Sequence, residues 1–488
     1  MLGTLIRKEI HEALLSFRFL FGALLCLVLI PLGVFVSSKE YEQRRITYQE
    51  SVRLYTERTR GEVSTAMQAE GFRPPSALGV LSLGLEAFLP NKVTTSPDGD
   101  FRVAKEMETG NPDSLLFGKV DLLFNIGFVL SLLGLIFTFN AISGEKESSA
   151  LRLIMTNAVP RWQIIAAKLI GNGFVLIMPF LASVLIGVLI LSLSGAGAVF
   201  SGPFLPSLAV VIAVSLLFIL AMCNLGLLIS TLTHRSITSM IIAFFVWTVL
   251  VLSWPRISPM IATMLAPVKS QQVHLAEKTM VRQAAERDLD SARRTLFDRI
   301  VVNELGLSLD RLKTESSPRA AKAKAAFGAA REGLERASQE RLRSQLDKLD
   351  REYMNRQKAQ STLTRNISRL SPVTSFAYIV SEVSGTGSLE MENFWENSRR
   401  FQGQVAARLY SQQRHEWYGS AAGPGAWRED YDAPGFDASK EPVPQMIYQP
   451  ASLDKALQRE WPDILLLCLF NLVFFAAAYV SFSRYDVR

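Results

Sequence analysis

Residues 122–147 read LLFNIGFVLSLLGLIFTFNAISGEKE. From Leu122 to Ile142 there is no Asp, Glu, Lys, Arg or His, and then Glu145, Lys146 and Glu147 arrive together. An uncharged run of about 20 residues is what a helix needs to cross a bilayer, and the abrupt return of charge marks its edge. Leu151-Arg152-Leu153-Ile154 and Val159-Pro160-Arg161 follow, ahead of another apolar run. A charged, amphipathic segment held between two membrane spans is a place where a soluble partner can push on a membrane subunit. The bland alternative is an ordinary interfacial connection whose carboxylates favour a helix start.

Five further runs have the same character. With the first they predict spans at 19–36, 122–142, 169–194, 205–232, 237–254 and 464–482, in a 488-residue chain that is 49% hydrophobic with mean hydropathy +0.20. None has an ionisable residue in its interior, which argues against a proton relay, voltage sensor or ion-coupled pump. The lead before the first span is long and polar, and Val34–Lys39 offers no small-x-small cleavage site, so the span reads as an uncleaved anchor. Cys26, Cys223 and Cys468 all fall in apolar spans and imply no disulfide framework. The formal charge of +7 suits a membrane protein beside anionic lipid and gives no reason to invoke nucleic acid.

Short-loop cations set the expected orientation. Arg7, Lys8 and Arg18, then Lys146, Arg152, Arg161 and Lys168, then Arg235, and last Arg484 and Arg488, all fall on one side if there are six crossings. That side is taken as cytoplasmic, with both termini on it. The cytoplasmic parts are an interfacial amphipathic helix (1–18), the segment 143–168 and the tail (483–488). Segments 37–121 and 255–463 lie outside. Leu5, Ile6, Ile10, Ala13, Leu14 and Phe17 supply the apolar face of the first helix; docking on a partner is the other reading of that face. Lys39–Gln68 continues the first span as a helix until Pro74-Pro75, and Ala77–Leu89 is placed at the bilayer interface. In the second outer segment, Val281, Ala285, Leu289, Ala292, Leu296 and Ile300 recur at helical spacing. So do Phe327, Ala330, Leu334 and Ala337, then Leu342, Leu346, Leu349 and Tyr353. With turn residues over Gly306–Pro318, this predicts an antiparallel helical hairpin. Residues 385–450 read as less regular.

The fold class is thus an all-α polytopic membrane protein: six transmembrane helices, an amphipathic N-terminal helix, and a large, mainly helical extracytoplasmic domain between spans five and six. Catalytic motifs are wanting. There is no G-x-x-x-x-G-K-[ST] run, so ATP hydrolysis is expected in another chain. His11-Glu12 and His415-Glu416 lack the second histidine of a zinc-protease helix. No nucleophile elbow is found, and no catalytic, cofactor or metal residues are assigned. Asn125, Asn140, Asn172, Asn224 and Asn471 lie in or near the spans; they line a translocation path or hydrogen-bond helix to helix. Gly171, Gly173, Gly187, Gly226 and Pro179 read as sites of close packing or kinks.

Several stretches carry a family resemblance: Ile6-Arg7-Lys8-Glu9; Arg73-Pro74-Pro75-Ser76 with Gly84-Leu85-Glu86; Phe139–Glu147 continuing through Leu151-Arg152-Leu153, Pro160-Arg161 and Ala167–Gly171; and Ser368–Pro372. In these the chain resembles ABC-2 type permeases, nearest the nitrous-oxide-reductase-maturation (NosY-like) and gliding-motility-like branch. Where that pattern reads Gly-Thr-Leu this chain has Ser149-Ala150-Leu151, and Asn140 stands where an acid is usual. The resemblance covers the membrane portion and not most of the hairpin. It implies an inner-membrane exporter subunit that pairs with a second permease, identical or paralogous, and sits on two separate ATPase subunits that bind the ATP and Mg. It makes the segment between spans two and three a coupling helix contacting the ATPase through Gly144, Glu145, Lys146, Glu147, Leu151, Arg152, Leu153 and Arg161. From the residues themselves, Leu151, Leu153, Ile154 and Trp162 offer an apolar docking face, with Arg152 and Arg161 at its rim. Charge reversal at Glu145 and Glu147 is expected to uncouple the ATPase. A periplasmic partner for the outer domain is also expected. The competing reading is a membrane sensor or scaffold that binds a ligand or protein through its outer helices.

Overall fold

In a computed structural model, six helices among the described residues are long and apolar enough to cross a membrane: Phe17–Thr59, Leu122–Glu147, Arg161–Leu193, Phe204–Leu232, Ser236–Leu265 and Leu453–Ser483. The structure describes residues 2–59, 69–86, 88–95, 101–104, 121–156, 159–194, 200, 202–303, 318–421 and 445–485. In chain order the helices are α1 (Leu2–Leu14), α2 (Phe17–Thr59), α3 (Leu122–Phe124), α4 (Ser131–Thr138), α5 (Ser143–Glu147), α6 (Ala150–Thr156), α7 (Arg161–Leu193), α8 (Phe204–Leu232) and α9 (Ser236–Trp247). They continue with α10 (Trp254–Leu265), α11 (Gln271–Phe297), α12 (Pro318–Ser368), α13 (Pro372–Val383), α14 (Ser388–Ala421) and α15 (Leu453–Ser483). Two π-helical turns, Asn125–Leu130 and Thr248–Ser253, interrupt the second and fifth spans. The chain divides into two compact units, Met1–Trp254 with Arg369–Arg488, and Pro255–Ser368.

The first unit is an apolar bundle centred on α8, whose neighbours approach closely because side chains are small where helices cross. A Cβ added at Gly226 would stand 3.2 Å from the Cα of Leu135 and 2.1 Å from the Thr138 hydroxyl, so only glycine fits there. Polar side chains bridge neighbouring helices of the bundle: Trp247 Nε1 donates to Ser131 Oγ at 2.9 Å, and Asn224 Nδ2 to Asn471 Oδ1 at 2.9 Å. The amide of Asn471 also donates to the Leu217 carbonyl at 3.0 Å, tying α15 to α8.

Several expectations change in the part between the spans. Lys39 onward does continue the first helix, which is described as far as Thr59, while residues 60–68 of the expected extension lie outside the described residues. Ala69–Phe72 forms strand β1 of a small antiparallel sheet with β2 (Lys92–Thr95) and β3 (Phe101–Ala104). Ala69 faces Thr95, and Lys92 faces Ala104. Phe394, Phe401 and Val405 of α14 pack with Ala69 and Val93 of this sheet. The stretch Ala77–Leu89 has apolar residues on two sides, Leu85 and Phe88 being exposed. Val80, Leu81, Leu83 and Leu89 are buried in protein, and Arg73 holds Glu86 at 2.7 Å beneath them. Its turn locks onto residues 384–387: Leu85 N–H donates to the Thr386 carbonyl at 2.8 Å and Ser76 Oγ to the Ser384 carbonyl at 2.9 Å. Gly84 and Gly385 have φ of +40° and +63°, where a side chain would be strained.

The outer segment 255–463 is not one unit. Only Pro255–Ser368 separates; residues 369–463 belong with the bundle, because α13 is apolar on most of its faces and buries Phe376, Ile379, Val380 and Val383 there. Phe376 stacks on Phe218 of α8 at 4.6 Å between ring centroids, and Ser371 Oγ donates to the Leu250 carbonyl at 2.7 Å. The region expected to be irregular from 385 is helical to Ala421: the carboxylate of Glu382 accepts from the N–H groups of Ser388 and Leu389, capping α14 from outside. In the second unit α11 and α12 form the predicted antiparallel hairpin. Phe297 meets Phe327 edge-on at 5.5 Å, Arg293 pairs with Glu335 at 2.6 Å, and His274 stacks on Tyr353 at 4.2 Å. Ala337, expected in the seam, is exposed instead, and the predicted turn before Pro318 lies outside the described residues.

Candidate functional site: the segment between the second and third spans

The chain leaves α4 through a turn, and the segment 143–168 folds as two short helices and the first turns of α7. The N-terminus of α5 has free N–H groups that its own sequence does not cap. They are met by another helix: Ser230 Oγ of α8 accepts from Ile142 N at 2.9 Å and from Ser143 N at 3.0 Å. Gly144 lies beside the next element, an added Cβ being 3.5 Å from Ser236 Oγ.

Each of the three charges that follow is directed at a different helix. Glu145 Oε1 accepts from Lys168 Nζ at 2.6 Å, and the same ammonium reaches Glu9 Oε1 on α1 at 3.1 Å. Lys168 is 4% exposed, and both carboxylates are largely covered, so one cation inside the protein holds two acidic groups from two elements. The contact needs α1 to lie tightly on α7; a Cβ at Gly171 would strike the Cβ of Glu9 at 2.6 Å. Lys146 turns under the end of α8, donating to the carbonyls of Thr231 and Thr233, with its Nζ 4.7 Å from the ring centroid of Tyr485. Glu147 accepts from Ser236 N at 3.0 Å, capping α9. Arg161 donates from Nη1 to the carbonyls of Phe482, Ser483 and Tyr485, closing the C-terminal end of α15.

This arrangement revises the expected docking face. Leu151 is 1% exposed and packs with Ile142, Ile164, Ile165, Leu227 and Phe482, so it holds the segment in place from below. Leu153 (72% exposed) and Trp162 (48%) stand outward, with Glu147, Ser148 and Ser149 beside them. The backbone of Arg152 is in α6, and its side chain lies outside the described residues. Ser149 joins α5 to α6 with φ +59°, the one positive-φ residue other than glycine among the described residues. Glycine adopts this backbone conformation without strain.

Of the asparagines in the spans, four are joined to other helices. Asn224 and Asn471 bond each other, Asn125 donates to the Leu29 carbonyl at 3.2 Å, and Asn140 accepts from Arg18 Nη1 at 2.7 Å. Asn172 is buried on α7 and has no side-chain hydrogen bond among the described residues. Glu9, Ser230 and Tyr485 were not legible as partners of the segment. Lys168 did leave a signal: an ammonium at the start of an apolar helix needs an acid brought to it by the fold.

Fold and site together define a class: an α-helical membrane protein whose spans converge on one short connecting segment. Residues 4–487 match the family described as ABC-2 family transporter protein, and the chain belongs to that family. Membership makes it a membrane protein of the ABC transporter class and implies an ATPase subunit as partner. A comparison with curated proteins gives no match.

Proposed function

We propose that this chain is the permease subunit of a bacterial inner-membrane ABC-2 exporter, with segment 143–168 as its coupling helix. In this reading the termini and segment 143–168 are cytoplasmic. Two copies, or this chain and a paralogue, pair in the membrane over two ATPase subunits that bind ATP and Mg. The resemblance at Phe139–Glu147 supports a position in the NosY-like and gliding-motility-like branch. ATP-driven closure of the ATPases pushes the segment, and the spans rearrange to move substrate outward or to transmit conformational work.

The observation that carries this reading is the convergence of hydrogen bonds and ion pairs on segment 143–168. Through Lys168, Lys146, Glu147, Ser230 and Arg161, its short helices are tied to α1, α7, α8, α9 and α15. A displacement of a few residues here is delivered to five helices at once, while Leu153 and Trp162 are exposed on its outer side. The test is co-purification with its partner ABC ATPase, followed by ATPase assay. Leu153→Asp with Trp162→Asp is expected to abolish association without lowering thermal stability. Undiminished association and stimulation would remove segment 143–168 from the role.

A further inference from the structure

The formal charge of the chain is segregated by unit. Residues 255–368 carry 22 Lys and Arg against 14 Asp and Glu, a net +8, whereas the remainder carries 30 against 31, a net −1. The excess is densest on α12. Arg341, Arg343, Lys348, Arg351, Arg356 and Lys358 are all exposed, and none of them forms an ion pair among the described residues. Asp350 on the same helix is held by His274 at 2.8 Å and by Lys278 at 2.9 Å, and Glu340, Asp347 and Glu352 are the other acids interspersed with these cations.

A second feature accompanies the cations. Two helices cannot enclose an apolar stripe by themselves, and here Leu289 and Leu296 of α11 and Leu334, Leu342, Leu346 and Leu349 of α12 are each only half-buried. We propose that the α11–α12 hairpin is a docking surface for an acidic amphipathic helix of a partner protein. Such a helix lays its apolar stripe along the open side of the seam and its Glu and Asp flanks against the unpaired cations. A bilayer fits less well, because the residues between the cations, among them Ser344, Gln345, Asn355 and Gln357, are polar and have nothing to insert among lipid chains. A polyanion without apolar groups would leave the seam uncovered. The surface has this character on whichever side of the bilayer the hairpin faces, and whether or not segment 143–168 meets an ATPase.

The test uses the full chain in phosphatidylcholine nanodiscs and a labelled four-heptad peptide with Leu at its core positions and Glu at the flanking ones, whose like charges oppose self-pairing. Fluorescence anisotropy is expected to show saturable binding that weakens with salt. The fourfold variant Arg341→Glu, Arg343→Glu, Lys348→Glu and Arg351→Glu should weaken it by roughly tenfold or more, with helicity retained by circular dichroism. If that variant misfolds, the fourfold change to Gln should still weaken binding. A peptide with Ser for Leu should not bind. Absence of binding, equal binding of the Ser peptide, or indifference to both sets of substitutions would overturn the proposal. Displacement of the peptide by phosphatidylglycerol vesicles that bind the hairpin themselves would also overturn it, in favour of a lipid surface.

Discussion

Segment 143–168 and the α11–α12 hairpin are both rich in charge, yet the structure uses those charges oppositely. In the segment, Glu145, Lys146, Glu147, Arg161 and Lys168 each end on a group from another helix. On the hairpin, six cations of α12 are exposed and form no ion pair among the described residues. A charge that is buried and paired fixes geometry, and its removal leaves the partner stranded in low dielectric. An exposed, unpaired charge contributes little to stability and remains available for recognition. The contrast bears on the expected charge reversal at Glu145, whose carboxylate is paired with Lys168 inside the protein. Reversing it to Lys would place two cations together inside the protein, so the result would report on stability as much as on docking.

Lys168→Met breaks the comparison most sharply. It leaves Glu9 and Glu145 facing each other without a cation, and is expected to cost about 3–5 kcal/mol, seen as a large fall in melting temperature in detergent. Arg343→Met on the hairpin should change stability by under about 0.5 kcal/mol; a large loss there would mean the hairpin cations are structural after all. Next comes Gly226→Ala, where the new methyl meets the Cα of Leu135 and the Thr138 hydroxyl; overpacking of this kind costs about 1–3 kcal/mol. An unchanged melting curve would show that α4 and α8 are not in close contact. Ser149→Gly relieves a left-handed backbone and should stabilise by about 1 kcal/mol, with ATPase association retained.

The smallest effect is a pH dependence beside the sheet. Burial pushes the carboxyl of Glu390 above the ordinary carboxylate range, although Tyr448 and the Ala451 N–H donate to it. Its protonated form is therefore favoured by the fold. The stability it contributes is fully present below the unfolded value near 4.5 and is lost as pH rises through the raised one. Melting temperature should fall from pH 5 to pH 7.5, and Glu390→Gln should flatten that slope; an identical slope in the variant would assign the dependence to other groups.

The helices were legible because their signals are local. Uncharged runs of membrane length gave the spans and the three–four spacing of Leu and Ala gave the hairpin, whereas α13 and α14 were not read as helices. What was not legible depends on distance in sequence. Nothing near Glu382 announces that it caps α14, and nothing in Ala69–Phe72 says that it pairs with residues 92–95. The site shows the same division. The amphipathic pattern located segment 143–168, but which of its residues turn inward depends on Glu9, Ser230, Ser236 and Tyr485, far away in the chain. Leu151 and Leu153 look alike in sequence; packing against Ile142 and Phe482 buries one and leaves the other outward.

The central claim is that the outward face of segment 143–168 is where the ATPase engages. Its most direct test is cysteine cross-linking in the assembled complex, with Cys26, Cys223 and Cys468 replaced by Ala. Leu153→Cys is predicted to cross-link to the ATPase, with the yield changing when ATP is added, while Arg351→Cys on the hairpin gives none. An intact complex in which Leu153→Cys yields no ATPase adduct would contradict the account.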